Sequence, residues 1–139
     1  VLAGDGPLRS RLERQARRAG LESRVRFIGA IRPESLPEWF AAADLVVLPS
    51  RSEGVPNVLL EAKACGRPFV ASDVGAVRDV SDRPELELVP PEDPLALAGR
   101  IEARLAQPLD EAGGQVPDAA ESGAWLYQEL AALRDRRGD

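Results

Sequence analysis

Hydrophobic and polar positions switch repeatedly between two periods along the chain. Val1-Leu2-Ala3 reads as the tail of a strand, and Gly4-Asp5-Gly6 as a tight turn after it. Pro7 suits the first position of a helix in which Leu8, Leu12, Ala16 and Ala19 recur at helical spacing until Gly20 stops it. Val25-Arg26-Phe27-Ile28 predicts a short strand closed by Gly29. A helix is expected from Pro33 to Ala43, with Leu36, Trp39, Phe40 and Ala43 on one face and Asp44 at its end. Leu45-Val46-Val47-Leu48 is an unbroken apolar run, the pattern of a strand buried on both faces of a parallel sheet. A polar loop, Pro49 to Val55, leads into a helix from Pro56 to Cys65 that Gly66 ends. Pro68-Phe69-Val70-Ala71 predicts another buried strand, the Ser72–Gly75 loop a turn, and Val77–Val80 a short helix. Leu86-Glu87-Leu88-Val89 predicts a last strand, after which Asp93 caps a helix from about Pro94 to Ala106.

Strands separated by helices of about ten to fifteen residues call for right-handed crossovers and a parallel sheet, so the fold class is α/β. Residues 108–118 are rich in Gly, Pro and acid and read as a linker. A second helical pattern follows, carrying Trp125, Leu126, Leu130 and Leu133, so residues 119–139 are assigned to a C-terminal helix. No internal repeat is visible.

Composition narrows the chemistry. The chain has 139 residues, 44% hydrophobic and 29% charged, which describes a globular domain. No apolar run approaches the ~18 residues of a membrane span, and the start has no signal-peptide pattern. The chain begins at Val1 and contains no methionine, so it reads as a piece of something longer. Lys63 is the one lysine among 18 basic residues, a bias that fits a GC-rich bacterial coding sequence. With no histidine, Ser-His and Cys-His catalysis, a histidine base and a histidine-held metal are all excluded within these residues. Cys65 stands alone, so neither a disulfide nor a thiolate cluster can form, and a reducing, cytoplasmic setting is expected. A net charge of −5 disfavours nonspecific nucleic-acid binding. Residues 9–26 depart from that balance with Arg9, Arg11, Arg14, Arg17, Arg18, Arg24 and Arg26. This run reads either as a solvated helix face or as a peripheral contact with anionic lipid or another domain.

The segment with most chemical content is the buried strand, polar loop and helix around residues 45–66. In an open parallel sheet, ligands sit outside the carboxyl ends of the strands, so this loop and helix start face the ligand crevice. A helix N-terminus presents unpaired amides and about half a positive charge. Gly54 allows close backbone approach, and amides around Gly54, Val55 and Asn57 suit a phosphate or diphosphate. Glu53 precedes this helix and Glu61 lies on its second turn, with seven residues between them. Two acids flanking an anion site can reach past the diphosphate on either side, one to sugar hydroxyls and one to a ribose diol. On spacing alone an ordinary reading stays open, with Glu53 a dipole partner of the helix and Glu61 a solvated helix residue.

The complete phrases carry more than the spacing does. Glu53-Gly54-Val55-Pro56-Asn57-Val58-Leu59-Leu60-Glu61-Ala62 closely resembles the signature of family 4 glycosyltransferases, which have the GT-B fold. The likeness continues through Ala64-Cys65-Gly66-Arg67-Pro68-Phe69-Val70-Ala71-Ser72-Asp73-Val74-Gly75. It also takes in Val1–Pro7, Val25–Gly29 and Ala43–Ser50, so it spans residues 1 to about 106 in the family's order. The resemblance implies the Rossmann-like, C-terminal, donor-binding half of a retaining enzyme that uses a nucleotide-diphosphate sugar. It implies Glu53 as the first acid of the paired motif, near the donor sugar and assigned here as catalytic. Glu61 becomes the acid that holds the ribose. Gly54, Val55 and Asn57 lie beside the diphosphate, and the loop at Gly29-Ala30 lies near the base. No metal or other cofactor is implied. The acceptor, whether glycan, lipid or small molecule, would be held by a domain preceding Val1.

Departures from the family pattern set further expectations. The family's first strand and its basic loop have no counterpart in residues 1–139, so a gap is expected between the strands at residues 1–3 and 45–48 unless they close up. Gly75 is followed by Ala76, where the family often has a second glycine, and Asp79 stands at the acidic position. The usual glycine before the last strand is missing near Arg83-Pro84-Glu85. Cys65 reads as buried packing, Trp39 and Trp125 as core anchors, and Asp73 as a turn residue rather than a ligand contact. A nucleotide-sugar-binding remnant without turnover is a competing reading. A sugar-nucleotide epimerase on the same fold is another, and it calls for histidines that the sequence lacks.

Overall fold

The structure, a computed structural model, describes residues 1–107. The expected linker at 108–118 and helix at 119–139, with Trp125, lie outside the described residues. The described residues fall into two compact units, Val1–Leu36 and a second that begins at Pro37.

In the first unit β1 (Leu2–Ala3) leads through the turn at residues 4–6 into α1 (Arg9–Arg18), which returns to β2 (Phe27–Gly29). The two strands are parallel, with Leu2 opposite Phe27. Arg9 ties this βαβ unit together: its guanidinium bonds Glu13 at 2.9 Å and the Phe27 carbonyl at 3.2 Å. One arginine of the basic run is thus a structural strut. Arg11, Arg14, Arg17, Arg18, Arg24 and Arg26 are exposed, as are Leu8 and Leu12.

Residues 33–43 form a short 3₁₀ turn, Pro33–Ser35, running into α2 (Leu36–Ala42), on which Phe40 is buried. The second unit then follows the order β3 (Val46–Leu48), α3 (Asn57–Ala64), β4 (Phe69–Ser72), α4 (Val77–Val80), α5 (Pro84–Glu87), β5 (Leu88–Val89) and α6 (Pro94–Leu105). Its three strands make a parallel sheet in the order β3-β4-β5, with Val46 opposite Phe69 and Ala71 opposite Leu88. All four residues of the central β4 are buried, and its first three, Phe69, Val70 and Ala71, are apolar. Leu59 and Leu60 of α3 meet Phe69, Ala71, Val77, Val80 and Leu88 in one core. Each of those leucines is fully buried, worth roughly 1.5–3 kcal/mol relative to exposure. The small Ala62 and Ala64 are buried on the same helix. Cys65 is buried, as its expected packing role requires, and Trp39 is half-buried.

Two expectations change. The apolar run at 45–48 is not buried on both faces: among the described residues β3 pairs with β4 alone, and Val47 is 37% exposed. Leu86 and Glu87 are helical, and β5 starts only at Leu88. Pro84 sits at the first helical position there, and the amides of Leu86 and Glu87 both donate to the Arg83 carbonyl. The buried Glu87 carboxylate closes the turn by accepting from the Ser81 hydroxyl at 2.5 Å and the Arg83 amide at 3.3 Å.

Candidate functional site

Five of the six residues assigned to the site share one strand–loop–helix passage of the second unit. β3 ends at Leu48, the loop runs from Pro49, and α3 begins at Asn57 behind the buried Pro56. Gly29 lies in the first unit, at the end of β2, where its carbonyl accepts the Gly4 amide at 2.7 Å.

Within the passage, the half-buried Glu53 is held by its own loop: the Ser50 hydroxyl donates to Glu53 Oε1 at 2.5 Å. Gly54, Val55 and Asn57 are exposed at the mouth of α3. Pro56 adopts φ −80° and ψ 73°, an inverse γ-turn, and the Asn57 amide donates to the Val55 carbonyl at 2.9 Å. The Asn57 amide is therefore engaged. Among the described residues, the Gly54 and Val55 amides donate to no protein acceptor. No side chain caps α3. The contrast with α6 is instructive, because there Asp93 accepts from the Leu95 and Ala96 amides and fills the helix mouth.

Glu61 is the fifth residue of α3, one turn beyond Asn57 and on the same helical face. It sits between the fully buried Leu60 and Ala62 and is itself half-buried. Its carboxylate makes no hydrogen bond or ion pair among the described residues. Burial without a partner pushes its carboxyl above the usual 4.5. A part-desolvated, unpaired acid on a face shared with an uncapped helix mouth suits a neutral hydroxyl donor, which would satisfy its lone pairs without adding charge.

The nearest basic side chains in sequence point to structural duties. Lys63 Nζ bonds the Val80 carbonyl at 2.9 Å and Asp82 at 3.0 Å, tying α3 to the end of α4. Arg51 pairs with Glu92 at 2.9 Å, both exposed. Asp73 pairs with Arg78 and sends its amide to the Val89 carbonyl, in keeping with a turn role. Two open clefts of about 340 and 490 Å³ lie in this unit, the first at the carboxyl ends of the strands beside Pro49, Ser72 and Val89. Neither of these two is lined by Glu53, Gly54, Val55, Asn57 or Glu61.

Two residues that act on the site went unassigned in the sequence. Ser50 carries a readable signal, a hydroxyl three positions before an acid on a short loop. Gly75 was visible as a glycine, but its contact with Glu53 crosses 22 positions of chain and has no local signature.

Parallel strands flanked by helices, with the strand–loop–helix passage at the strand ends, make a Rossmann-like fold of the GT-B kind. Residues 1–107 match the family described as Glycosyl transferases group 1, and the chain belongs to it. Among curated relatives, the alpha-D-kanosaminyltransferase of Streptomyces kanamyceticus is 34% identical over 94% of this chain and 37% of its own length. The D-inositol 3-phosphate glycosyltransferase of Rhodococcus erythropolis is 35% identical over 88% of this chain and 28% of its own length. Among solved structures, sucrose-phosphate synthase from Thermosynechococcus elongatus aligns with a TM-score of 0.71 at 34% identity, covering 95% of this chain and 38% of that one. The chain thus spans under two-fifths of each of these relatives, corresponding to the C-terminal part of the fold. No helix among the described residues is long and apolar enough to cross a membrane.

Proposed function

We propose that the chain is the donor-binding part of a retaining glycosyltransferase and takes a nucleoside-diphosphate sugar. In this reading the Gly54 and Val55 amides, with the positive end of α3, receive the diphosphate. The Asn57 amide joins them only if its turn to Val55 opens; otherwise its exposed side chain is the available donor. Glu61 accepts the two ribose hydroxyls, and Glu53, aimed by Ser50, stands at the donor sugar as the catalytic acid of the pair. Gly29 would lie near the base. Transfer would need preorganised positive charge on the leaving diphosphate and an acceptor site, neither of which is assigned to these residues. The chain alone is therefore expected to bind donor without transferring it. The observation that carries the reading is the unpaired, half-buried Glu61 one turn from an uncapped helix start. The relatives' names differ in what is transferred or glycosylated, so the acceptor is left open.

Calorimetry with UDP, GDP, ADP and inorganic diphosphate tests this. One nucleoside diphosphate should bind more tightly than inorganic diphosphate, and Glu61→Ala should erase that advantage while leaving the weaker diphosphate affinity. Equal affinity of the variant and the parent for the nucleotide would contradict the assignment.

A further inference from the structure

The loop after β4 turns at Gly75 with φ +55°, the left-handed region that favours glycine. A Cβ at this position would lie 1.9 Å from the Glu53 carbonyl oxygen, 2.9 Å from its carbonyl carbon and 3.5 Å from its Cα. All three atoms are main chain of one residue, so no rotamer change could make room. Backbone rests directly on backbone here, and the residue underneath is the acid of the candidate site.

The loop that provides this contact is anchored on both sides. The Val74 amide donates to the Ser72 carbonyl at 2.9 Å, the Asp73 amide to the Val89 carbonyl at 2.8 Å, and Arg78 holds the Asp73 carboxylate. Ala76 and Val77 are buried immediately after it. Glu53 is thus located twice, its carboxylate by Ser50 from within the loop and its peptide by Gly75 from the neighbouring strand end.

We propose that Gly75 is a positioning residue for Glu53, a seat that fixes the acid's peptide relative to the core of β4 and β5. Glu53's part in transfer rests on the proposed function; the seat itself does not. Gly75 touches no substrate in this account and acts only through Glu53. A side chain there must lift the Glu53 peptide, because the anchored loop beneath it has less freedom to give than the exposed 51–55 loop.

The test compares Gly75→Ala with Gly20→Ala. Gly20 has φ +66° but open space around it, so its substitution imposes similar backbone strain without the contact. In ¹⁵N–¹H spectra of the chain, the backbone resonances of residues 53–55 should shift in Gly75→Ala and stay in place in Gly20→Ala. In the full-length protein, turnover of the donor it accepts from a panel of UDP-glucose, GDP-mannose and ADP-glucose should fall about 100-fold in Gly75→Ala, the scale of a 1 Å displacement of a reacting group. Donor KM should rise as well, because the lifted stretch carries the Gly54 and Val55 amides that receive the diphosphate. Unmoved resonances at 53–55 would overturn the seat. Should Gly75→Ala not melt cooperatively, the parent decides: nuclear Overhauser contacts between the Gly75 α-protons and Glu53 should be present, and their absence would refute the contact. Glu53→Gln is assayed alongside. If it turns over like the parent, the assignment of Glu53 fails, while the spectra still decide the contact.

Discussion

Replacing Glu61 by glutamine should move stability and ligand affinity in opposite directions. Glu61 is half-buried, its carboxylate has no partner among the described residues, and burial raises its pKa above 4.5. At neutral pH the folded protein therefore carries a charge that the unfolded chain would solvate better. As pH falls through the raised folded value, the folded state takes up its proton first and recovers that stability. Below the ordinary value both states are protonated and the difference vanishes. Glutamine keeps the shape and removes the charge, so Glu61→Gln should stabilise the unliganded protein at pH 7.5 by about 0.5 kcal/mol, a small gain because the half-exposed carboxylate is still partly solvated. That gain should shrink toward zero as pH approaches 4.5. Other carboxylates titrate as well, so the quantity to follow is the difference between variant and parent. Binding should go the other way. Glutamine keeps one acceptor oxygen and loses one charge-assisted bond to the ribose, worth about 1.5–3 kcal/mol, or roughly 10- to 100-fold in Kd. Urea melts across pH 4–8 and calorimetry with the nucleoside diphosphate that binds best provide both readings. A variant no more stable than the parent at neutral pH, or one that keeps full nucleotide affinity, would contradict the part given to Glu61.

Ser50→Ala removes the hydroxyl that aims Glu53. Turnover of the full-length protein should fall about tenfold, while the melting temperature moves little. Leu60→Ala opens a hole in the core beneath α3 and should cost about 2–5 kcal/mol in a urea melt. Asp93→Ala strips the cap from α6 and should cost about 1 kcal/mol, leaving nucleotide affinity unchanged because α6 is not part of the site.

What could be read in advance follows the range of the forces involved. Helix and strand identity came from periodicity and stop residues, so α3, β4 and α6 stand within a residue or two of expectation. Leu86 and Glu87 were misread because their helical turn is closed by Glu87 reaching back to Ser81 and Arg83, a side-chain bond with no apolar period. The burial of β3 was overestimated because an apolar run reports propensity but not whether a strand has a neighbour on each side. In the candidate site, Glu53, Gly54, Val55, Asn57 and Glu61 could be proposed together because they share one contiguous phrase, which the fold keeps on one strand–loop–helix passage. The engaged Asn57 amide was not, since it depends on the torsion angles at Pro56. Ser50's bond was within local reach and unread. The Gly75 contact was out of reach altogether, being a matter of how two strand ends abut.

In the proposed function the start of α3 grips a diphosphate through main-chain amides. A ¹⁵N–¹H titration of the chain with UDP, GDP and ADP tests it most directly. The Gly54 and Val55 amides should show the largest downfield shifts with one of these nucleotides, and inorganic diphosphate should move the same two resonances. A nucleotide that saturates the protein while leaving both amides in place would contradict the account.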